Sequence, residues 1–247
     1  MNKIKKSDID FRKLKSVKLG NYSNSFYVDD NNEKIYKFYG NISSDNRKMT
    51  EKKLEYFSNL DKDYISKVED LIYDKELEGH SQKIIKGDTL YNLVRKKGLL
   101  EQMKNIVEVS KNLEDLHNSD VIMGDMHFCN IMINEDDKPI FIDQDSYGIN
   151  GIRCFGVSVL VNNYFARKDK TVFVSRNSDR IGIYLSIFYK VFGREICSIS
   201  NDTYISYCNT YPFLYELYPV YHELSKRNEK IPEVPYLHKV LKNCDYS

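Results

Sequence analysis

The N-terminal part of the chain alternates between apolar and polar residues, the pattern of half-buried β-strands. Polar turns such as Asp30-Asn31-Asn32 separate the short runs. We predict strands over residues 16–20, 25–29, 34–39, 68–73 and 79–85. Residues 45–60 instead carry Leu54, Phe57 and Leu60 at helical spacing, so we predict a helix between the third and fourth strands.

Beyond Gly87 the apolar spacing becomes mainly helical. Residues 99–116 repeat apolar side chains every three or four positions, which predicts an amphipathic helix. Residues 181–192 are apolar on nearly all sides and predict a buried helix. Two short strands, 131–133 and 140–142, lie between them. The pattern therefore predicts an α+β protein with an antiparallel β-rich lobe, residues 1–85, and a larger helical lobe, residues 86–247.

Composition and charge narrow the class of protein. Hydrophobic residues make up 41% and charged residues 30%, which is typical of a globular chain. The net charge of +1 gives no indication of nucleic-acid binding, and no apolar run approaches the roughly 20 residues that span a bilayer. The charged N-terminus lacks the apolar core of a signal peptide, and the five cysteines include no CxxC pair. We therefore expect a cytoplasmic protein with reduced thiols and no membrane span.

The stretch GDMHFCNIMINEDDKPIFIDQD, residues 124–145, carries the candidate chemistry. Asp125 and Asn130 lie in one turn, and Asp143 follows the second of the two short strands. Taken alone, each of these residues could equally well be an ordinary polar turn residue. Together, and in this order, two acids and an amide indicate a site for a metal ion and phosphate groups.

The order of these features resembles the protein-kinase-like fold over residues 16–192. A strand–turn–strand start is followed by Lys37 on the third strand, an acid on the next helix, and then Asp125, Asn130 and Asp143. GDMHFCN is also similar to the GDxHxxN loop of aminoglycoside and choline kinases. The resemblance implies a bilobal fold that uses ATP and Mg²⁺. In it Asp125 orients the acceptor hydroxyl, while Asn130 and Asp143 bind the metal.

The resemblance also assigns a nucleotide site. Lys37 corresponds to the lysine that contacts the α- and β-phosphates, and Glu51 is its expected partner, with Glu55 as the alternative. Gly20 belongs to the phosphate-binding loop. Ile35 forms one apolar wall for the adenine, and the backbone of the hinge binds it through Lys83, Ile84 and Ile85.

Three features depart from the kinase pattern. Gly20 is the only glycine in the segment 19–27, Met123 and Gly124 replace the His and Arg before the catalytic Asp, and Gln144 and Asp145 replace the Phe and Gly after the metal-binding Asp. Asp179 resembles the kinase aspartate that binds the backbone of the catalytic loop, although a helix N-cap explains it equally well.

We therefore expect a Mg²⁺- and ATP-dependent phosphotransferase, most simply a compact, atypical Ser/Thr protein kinase. Its partners would be ATP and a hydroxyl-bearing acceptor, a protein Ser or Thr rather than a small molecule. The first alternative is a kinase of a small alcohol or amino alcohol, which GDMHFCN favours. The short distance between Ile85 and Asp125, 125 − 85 = 40 residues, leaves little room for the substrate-binding helices of such enzymes. The second alternative is a nucleotide-binding pseudokinase scaffold.

Overall fold

The computed structural model describes residues 1–17, 24–31, 33–168, 170–171, 173–226, 230–242 and 244. The protein is of the α+β class, with a six-stranded mixed sheet and helices, which confirms the predicted class. The chain divides into two units, one of residues 1–86 with 140–145 and one of residues 87–139 with 146–247. Residues 140–145 thus group with the first unit, although they lie beyond the predicted boundary at 85/86.

The first unit contains one long helix among six strands. Its elements are β1 (Asn2–Lys5), β2 (Lys15–Val17), β3 (Ser25–Asp29), β4 (Lys34–Phe38), α1 (Ser44–Asn59), β5 (Val68–Tyr73) and β6 (Leu77–Lys83). The predicted strand 68–73 and the predicted helix 45–60 are confirmed, the helix within one residue at each end. Of the predicted strand 16–20, residues 18–20 lie outside the described residues.

The sheet has the strand order β1-β5-β6-β4-β3-β2. Its neighbours are antiparallel except β1, which pairs parallel with β5 from Asn2↔Asp70 to Lys5↔Tyr73. The prediction of a purely antiparallel sheet is therefore wrong. The reason is the N-terminal segment, which forms one edge of the sheet and then crosses it to begin β2 at the opposite edge.

The two faces of this sheet are covered differently. Tyr36, Phe38 and Ile72 form a cluster on one face, covered by the crossing segment through Ile9, Phe11 and Leu14. On the other face, α1 buries Leu54 against a cluster formed by Tyr39, Val68, Leu71 and Leu77. Since successive side chains of β4 point to opposite faces, Lys37 lies on the same face as Tyr39.

The second unit is mainly helical. Its elements are β7 (Gly87–Thr89), α2 (Leu90–Lys97), α3 (Met103–Asn118), β8 (Val121–Ile122), β9 (Ile131–Asn134), β10 (Pro139–Phe141), β11 (Gly148–Ile149), α4 (Val159–Ala166), α5 (Arg176–Phe192), α6 (Asn201–Cys208), α7 (Leu214–Ser225) and α8 (Leu237–Val240). Of these, β10 begins in this unit and ends in the first. β7 pairs antiparallel with β9, and β8 pairs antiparallel with β11.

Two helices form the centre of this unit. The predicted amphipathic helix is α3, which buries Ile106, Val109 and Leu113 completely. The predicted buried helix is α5, in which Ser175 is the N-cap and Gly193, at φ 66°, ends the helix. Gly182 lets α5 approach the loop before β9, because a Cβ there would lie 2.8 Å from the Met126 carbonyl oxygen. This close approach positions the loop that contains Asp125.

In the ranges that the structure describes, no helix is both long and apolar enough to cross a membrane.

Candidate functional site

Lys37 is a buried lysine in the middle of β4. It lies opposite Phe26 on β3 and His80 on β6, and its residue is 8% exposed. Its side chain lies on the α1 side of the sheet, where an uncharged apolar residue would be the simpler choice. Burying an ammonium group is costly unless it is paired, so its partners are informative.

Two carboxylates bind the Lys37 ammonium. Its Nζ lies 2.5 Å from Asp143 Oδ1 and 2.8 Å from Asp145 Oδ1. Burial alone would lower the pKa of Lys37, but the charges of Asp145 and Asp143 outweigh burial and raise it. Burial likewise favours a higher pKa for Asp145, but Lys37 outweighs this effect and lowers it. Lys37 and Asp145 are therefore both charged.

The turn that carries both acids is fixed by Gln144. Its side chain is fully buried, and its Nε2 donates hydrogen bonds to the carbonyl oxygen and the hydroxyl of Ser66. Asp143 itself has φ 70°, a left-handed conformation that costs a non-glycine residue free energy. The strained backbone at Asp143 is part of the turn in which the carboxylates of Asp143 and Asp145 both contact Lys37.

The expected pair between Lys37 and Glu51 is not what the structure has, so this prediction is wrong. Glu51 accepts hydrogen bonds from Lys3 at 3.0 Å and from the Tyr73 hydroxyl at 2.6 Å. The alternative, Glu55, also pairs with Lys3, at 3.2 Å. The physical reason is the phase of α1, since its buried face carries Thr50, Lys53, Leu54 and Phe57 and leaves both glutamates at its side.

The predicted adenine residues follow one another along β4, β6 and the segment after β6. Ile35 is half-buried on β4 and pairs with Gln82, and the exposed Lys83 pairs with Lys34. The Ile84 N–H donates to the Glu33 carbonyl oxygen at 2.8 Å, and Ile85 is half-buried beside it. Gly20 lies outside the described residues. The assignment of these residues to a nucleotide stays a prediction.

In the second unit, Asp125 and Asn130 form one hydrogen-bonded turn. Asn130 Nδ2 donates to the Asp125 carbonyl oxygen at 3.0 Å and to Asp125 Oδ2 at 3.3 Å. The Asn130 N–H donates to the His127 carbonyl oxygen, which closes the turn. Gly124 precedes this turn at φ 72°, and a Cβ there would lie 2.8 Å from the Gly156 carbonyl oxygen, so only glycine fits without rearrangement.

Asp179 fixes the backbone that leads into this turn. Its fully buried carboxylate accepts hydrogen bonds from the N–H groups of Met123 at 2.8 Å and Gly124 at 2.9 Å. Asp179 therefore binds the backbone just before Asp125, whereas the N-cap of α5 is Ser175 and not Asp179. The buried His117 adds a further contact, with Nε2 3.0 Å from Asp179 Oδ2 and Nδ1 2.8 Å from the Tyr236 hydroxyl.

His127 provides a positive group beside Asp125. Its Nε2 lies 3.3 Å from Asp125 Oδ2, while Nδ1 faces the backbone N–H of Cys129. Burial alone would lower the pKa of His127, but contacts with Asp125 and Cys129 outweigh it and raise the pKa to about 9.

The predicted metal ligands have the chemistry that Mg²⁺ requires. Because Asn130 directs its Nδ2 at Asp125, its Oδ1 is the atom left to serve as a ligand. Asp143 offers a carboxylate whose side chain is 35% exposed. Hard oxygen donors of this kind suit Mg²⁺. The two residues belong to different units, and among the described residues no cluster of three or more His, Cys, Asp or Glu could hold a metal ion.

The sequence pattern did not identify Asp145 and Lys53 as neighbours of Lys37, or His117 as a neighbour of Asp179. Asp145 follows Asp143 by two residues, at a position where the kinase pattern has a glycine. The buried phase of α1, read from Leu54 and Phe57, also includes position 53, so Lys53 was visible as a charged residue on an apolar face. His117 ends a long amphipathic helix, a position without a signal of its own.

Comparison with known proteins adds no assignment. No protein-family model matches the chain, and no curated protein is significantly similar to it.

Proposed function

We propose that the protein is an ATP- and Mg²⁺-dependent phosphotransferase with a bilobal, protein-kinase-like fold. The observation that carries this proposal is the contact of Lys37 with Asp143, two residues that the sequence resemblance assigns to the phosphates and the metal. They are 106 positions apart in the chain, yet their charged atoms lie 2.5 Å apart. Replacing buried ionic groups with apolar residues is often neutral or stabilising, so stability alone does not account for this pair.

Each residue has a specific role in the proposed reaction. Lys37 would bind the phosphate oxygens of ATP. Asp143 and Asn130 would hold Mg²⁺, which would neutralise phosphate charge. Asp125 accepts the hydrogen bond of the acceptor hydroxyl and takes its proton as the hydroxyl oxygen attacks the γ-phosphorus. The bond from this phosphorus to the oxygen of the leaving ADP breaks in the same displacement. His127 keeps the carboxylate of Asp125 oriented through its Nε2.

The surface beside Asp125 supports a protein Ser or Thr as the acceptor. A Cβ on Gly156 would lie 3.3 Å from Asp125 Cβ, so the segment around Gly156 passes directly by the proposed catalytic carboxylate. Phe155, Val157 and Val159 in this segment are 40%, 36% and 70% exposed. Such closely spaced exposed apolar residues are typical of a surface that binds another chain.

The second candidate is phosphorylation of a small alcohol. It is favoured by the sequence GDMHFCN and by the contact between its His127 and Asp125, since this is where the chain resembles aminoglycoside and choline kinases most closely. The two candidates share ATP and Mg²⁺ and differ in the acceptor alone.

Thermal unfolding with ATP, with and without Mg²⁺, tests the shared part of the proposal. ATP at 100 times its dissociation constant should add about 2.7 kcal/mol to the free energy of unfolding. We expect this stabilisation with Mg²⁺, a smaller one with EDTA, and none with Mg²⁺ alone. Equal stabilisation with and without the metal, or none in either case, would contradict the proposal.

A further inference from the structure

The acids that bind Lys37 come from the turn after β10, not from α1. Among the described residues, the Lys37 ammonium pairs with Asp143 and Asp145. The helix residue that reaches the same region is Lys53, which is fully buried and whose Nζ donates to the Asp145 carbonyl oxygen at 3.3 Å. A second cation therefore lies where the kinase resemblance expects an acid.

The charges in this region explain why an acid is needed in the turn. Lys37 and Lys53 place two ammonium groups in the interior of the first unit, and burying them requires compensating acids. Asp143 and Asp145 supply two negative charges, and Lys53 also fixes the position of the turn by binding the Asp145 backbone. Gln144, between the two acids, also fixes the turn by donating to Ser66.

The two acids differ in exposure. The Asp143 side chain is 35% exposed, whereas the Asp145 side chain is 11% exposed, about the same as the 10% of Lys37. A metal ion arriving from solvent can reach the more exposed carboxylate, while the buried one stays with the lysine. We propose that Asp145 is the positioning residue that holds Lys37 for phosphate binding, in place of a helix glutamate, and leaves Asp143 to the metal.

This inference rests on the proposed function for the role of Lys37, but not for the pairing itself. Asp145→Asn keeps the shape of the side chain and removes the charge that holds Lys37. Glu51→Gln is the matched control, because it makes the same change at the acid that the resemblance favours and that the structure pairs with Lys3 and Tyr73.

The first test measures the pairing in nucleotide-free protein by urea unfolding. The variants are Lys37→Met, Asp145→Asn and their combination, with Glu51→Gln combined in the same way. Residues that interact directly give non-additive changes in stability, and independent sites add. In the double variant of Lys37 and Asp145, we expect the loss of unfolding free energy to be clearly smaller than the sum of the two single losses. In the double variant of Lys37 and Glu51, we expect the two losses to add. The opposite pattern would overturn the inference.

The second test measures binding of ATP and of adenosine to the full chain. Asp145→Asn should weaken ATP binding about tenfold or more, since a charge-assisted contact to the phosphates is misplaced. Its affinity for adenosine and its Mg²⁺ dependence should be retained, Asp145→Glu should recover part of the loss, and Glu51→Gln should bind ATP as the wild type does. The inference would be contradicted if Asp145→Asn bound ATP as tightly as the wild type, or if ATP binding by this variant no longer depended on Mg²⁺.

The two tests separate the possible failures. If the wild type binds no ATP, the proposed function fails, while the urea experiment still decides whether Asp145 holds Lys37. If Lys37→Met does not fold, the affinities of Asp145→Asn and Asp145→Glu decide the question.

Discussion

His80→Gln should remove a large part of the acid sensitivity of the first unit. His80 is 3% exposed on β6, and its Nδ1 faces the Tyr39 hydroxyl at 2.7 Å. Burial lowers the pKa of His80 to about 4 from its ordinary 6.5; Asp145 opposes this shift and Lys37 adds to it. As the pH falls, the unfolded chain therefore binds a proton before the folded one does.

The magnitude follows from this difference in pKa, 6.5 − 4 = 2.5 units. At about 1.36 kcal/mol per unit, the neutral His80 ring contributes up to about 3.4 kcal/mol. This contribution is present in full above pH 6.5 and is lost as the pH falls from 6.5 to 4. Glutamine does not titrate, so the variant should lose this pH dependence.

Urea unfolding followed by circular dichroism at several pH values between 4 and 7.5 measures this effect. We expect the wild type to lose about 3 kcal/mol more than His80→Gln over this interval. His222→Gln is the control, because its side chain is 47% exposed and should leave the pH dependence as in the wild type. Hydrogen exchange of amides in β4 and β6 would assign the loss to the first unit. Parallel curves for the wild type and His80→Gln would refute the reasoning.

Three further predictions concern the other residues of the site. Asp125→Asn should reduce phosphoryl transfer about 10²–10⁴-fold, the usual contribution of a proton-accepting group, and leave ATP affinity as in the wild type; near-normal turnover would exclude Asp125 as the catalytic residue. Asp143→Ala should abolish the Mg²⁺-dependent part of ATP stabilisation in a thermal-shift assay, and Asn130→Ala should reduce it less because an amide carries no net charge; unchanged metal dependence would count against both. Asp179→Ala should lower the free energy of unfolding by about 3–5 kcal/mol, because it leaves buried N–H groups and His117 without their acceptor; a loss below about 1 kcal/mol in urea unfolding would argue against this role.

Local patterns were sufficient to predict the elements that have a clear apolar period. The strand over residues 68–73 and the helix α1 have the predicted bounds within one residue, because each has a clear apolar period and polar flanks. β1 has no such signal. Three of its four residues are exposed, and it is stabilised by pairing with β5 and by the hydrogen bond from Asn2 to Asp70 at 3.0 Å, which are contacts between distant parts of the chain.

The candidate site was predictable as a set of residues but not as a set of pairs. Asp125, Asn130 and Asp143 were visible because their spacing within one stretch is distinctive, and Lys37 because of its place on the third predicted strand. The partner of Lys37 depends on which side of α1 is buried and on the path of the chain after β10. Glu51 is adjacent in sequence to the buried Thr50 but lies beside the buried face of α1. Which face of the helix is buried is decided by tertiary packing.

Transfer of the terminal phosphate from radiolabelled ATP tests the phosphotransferase assignment most directly. Purified wild type and Asp125→Asn would be incubated with Mg²⁺ and a cell extract, which is then separated into protein and small-molecule fractions. We expect label on Ser or Thr of extract proteins with the wild type and almost none with Asp125→Asn. Label confined to small molecules would instead favour the alcohol kinase. Equal labelling by the two proteins in every fraction would contradict the assignment of a phosphotransferase.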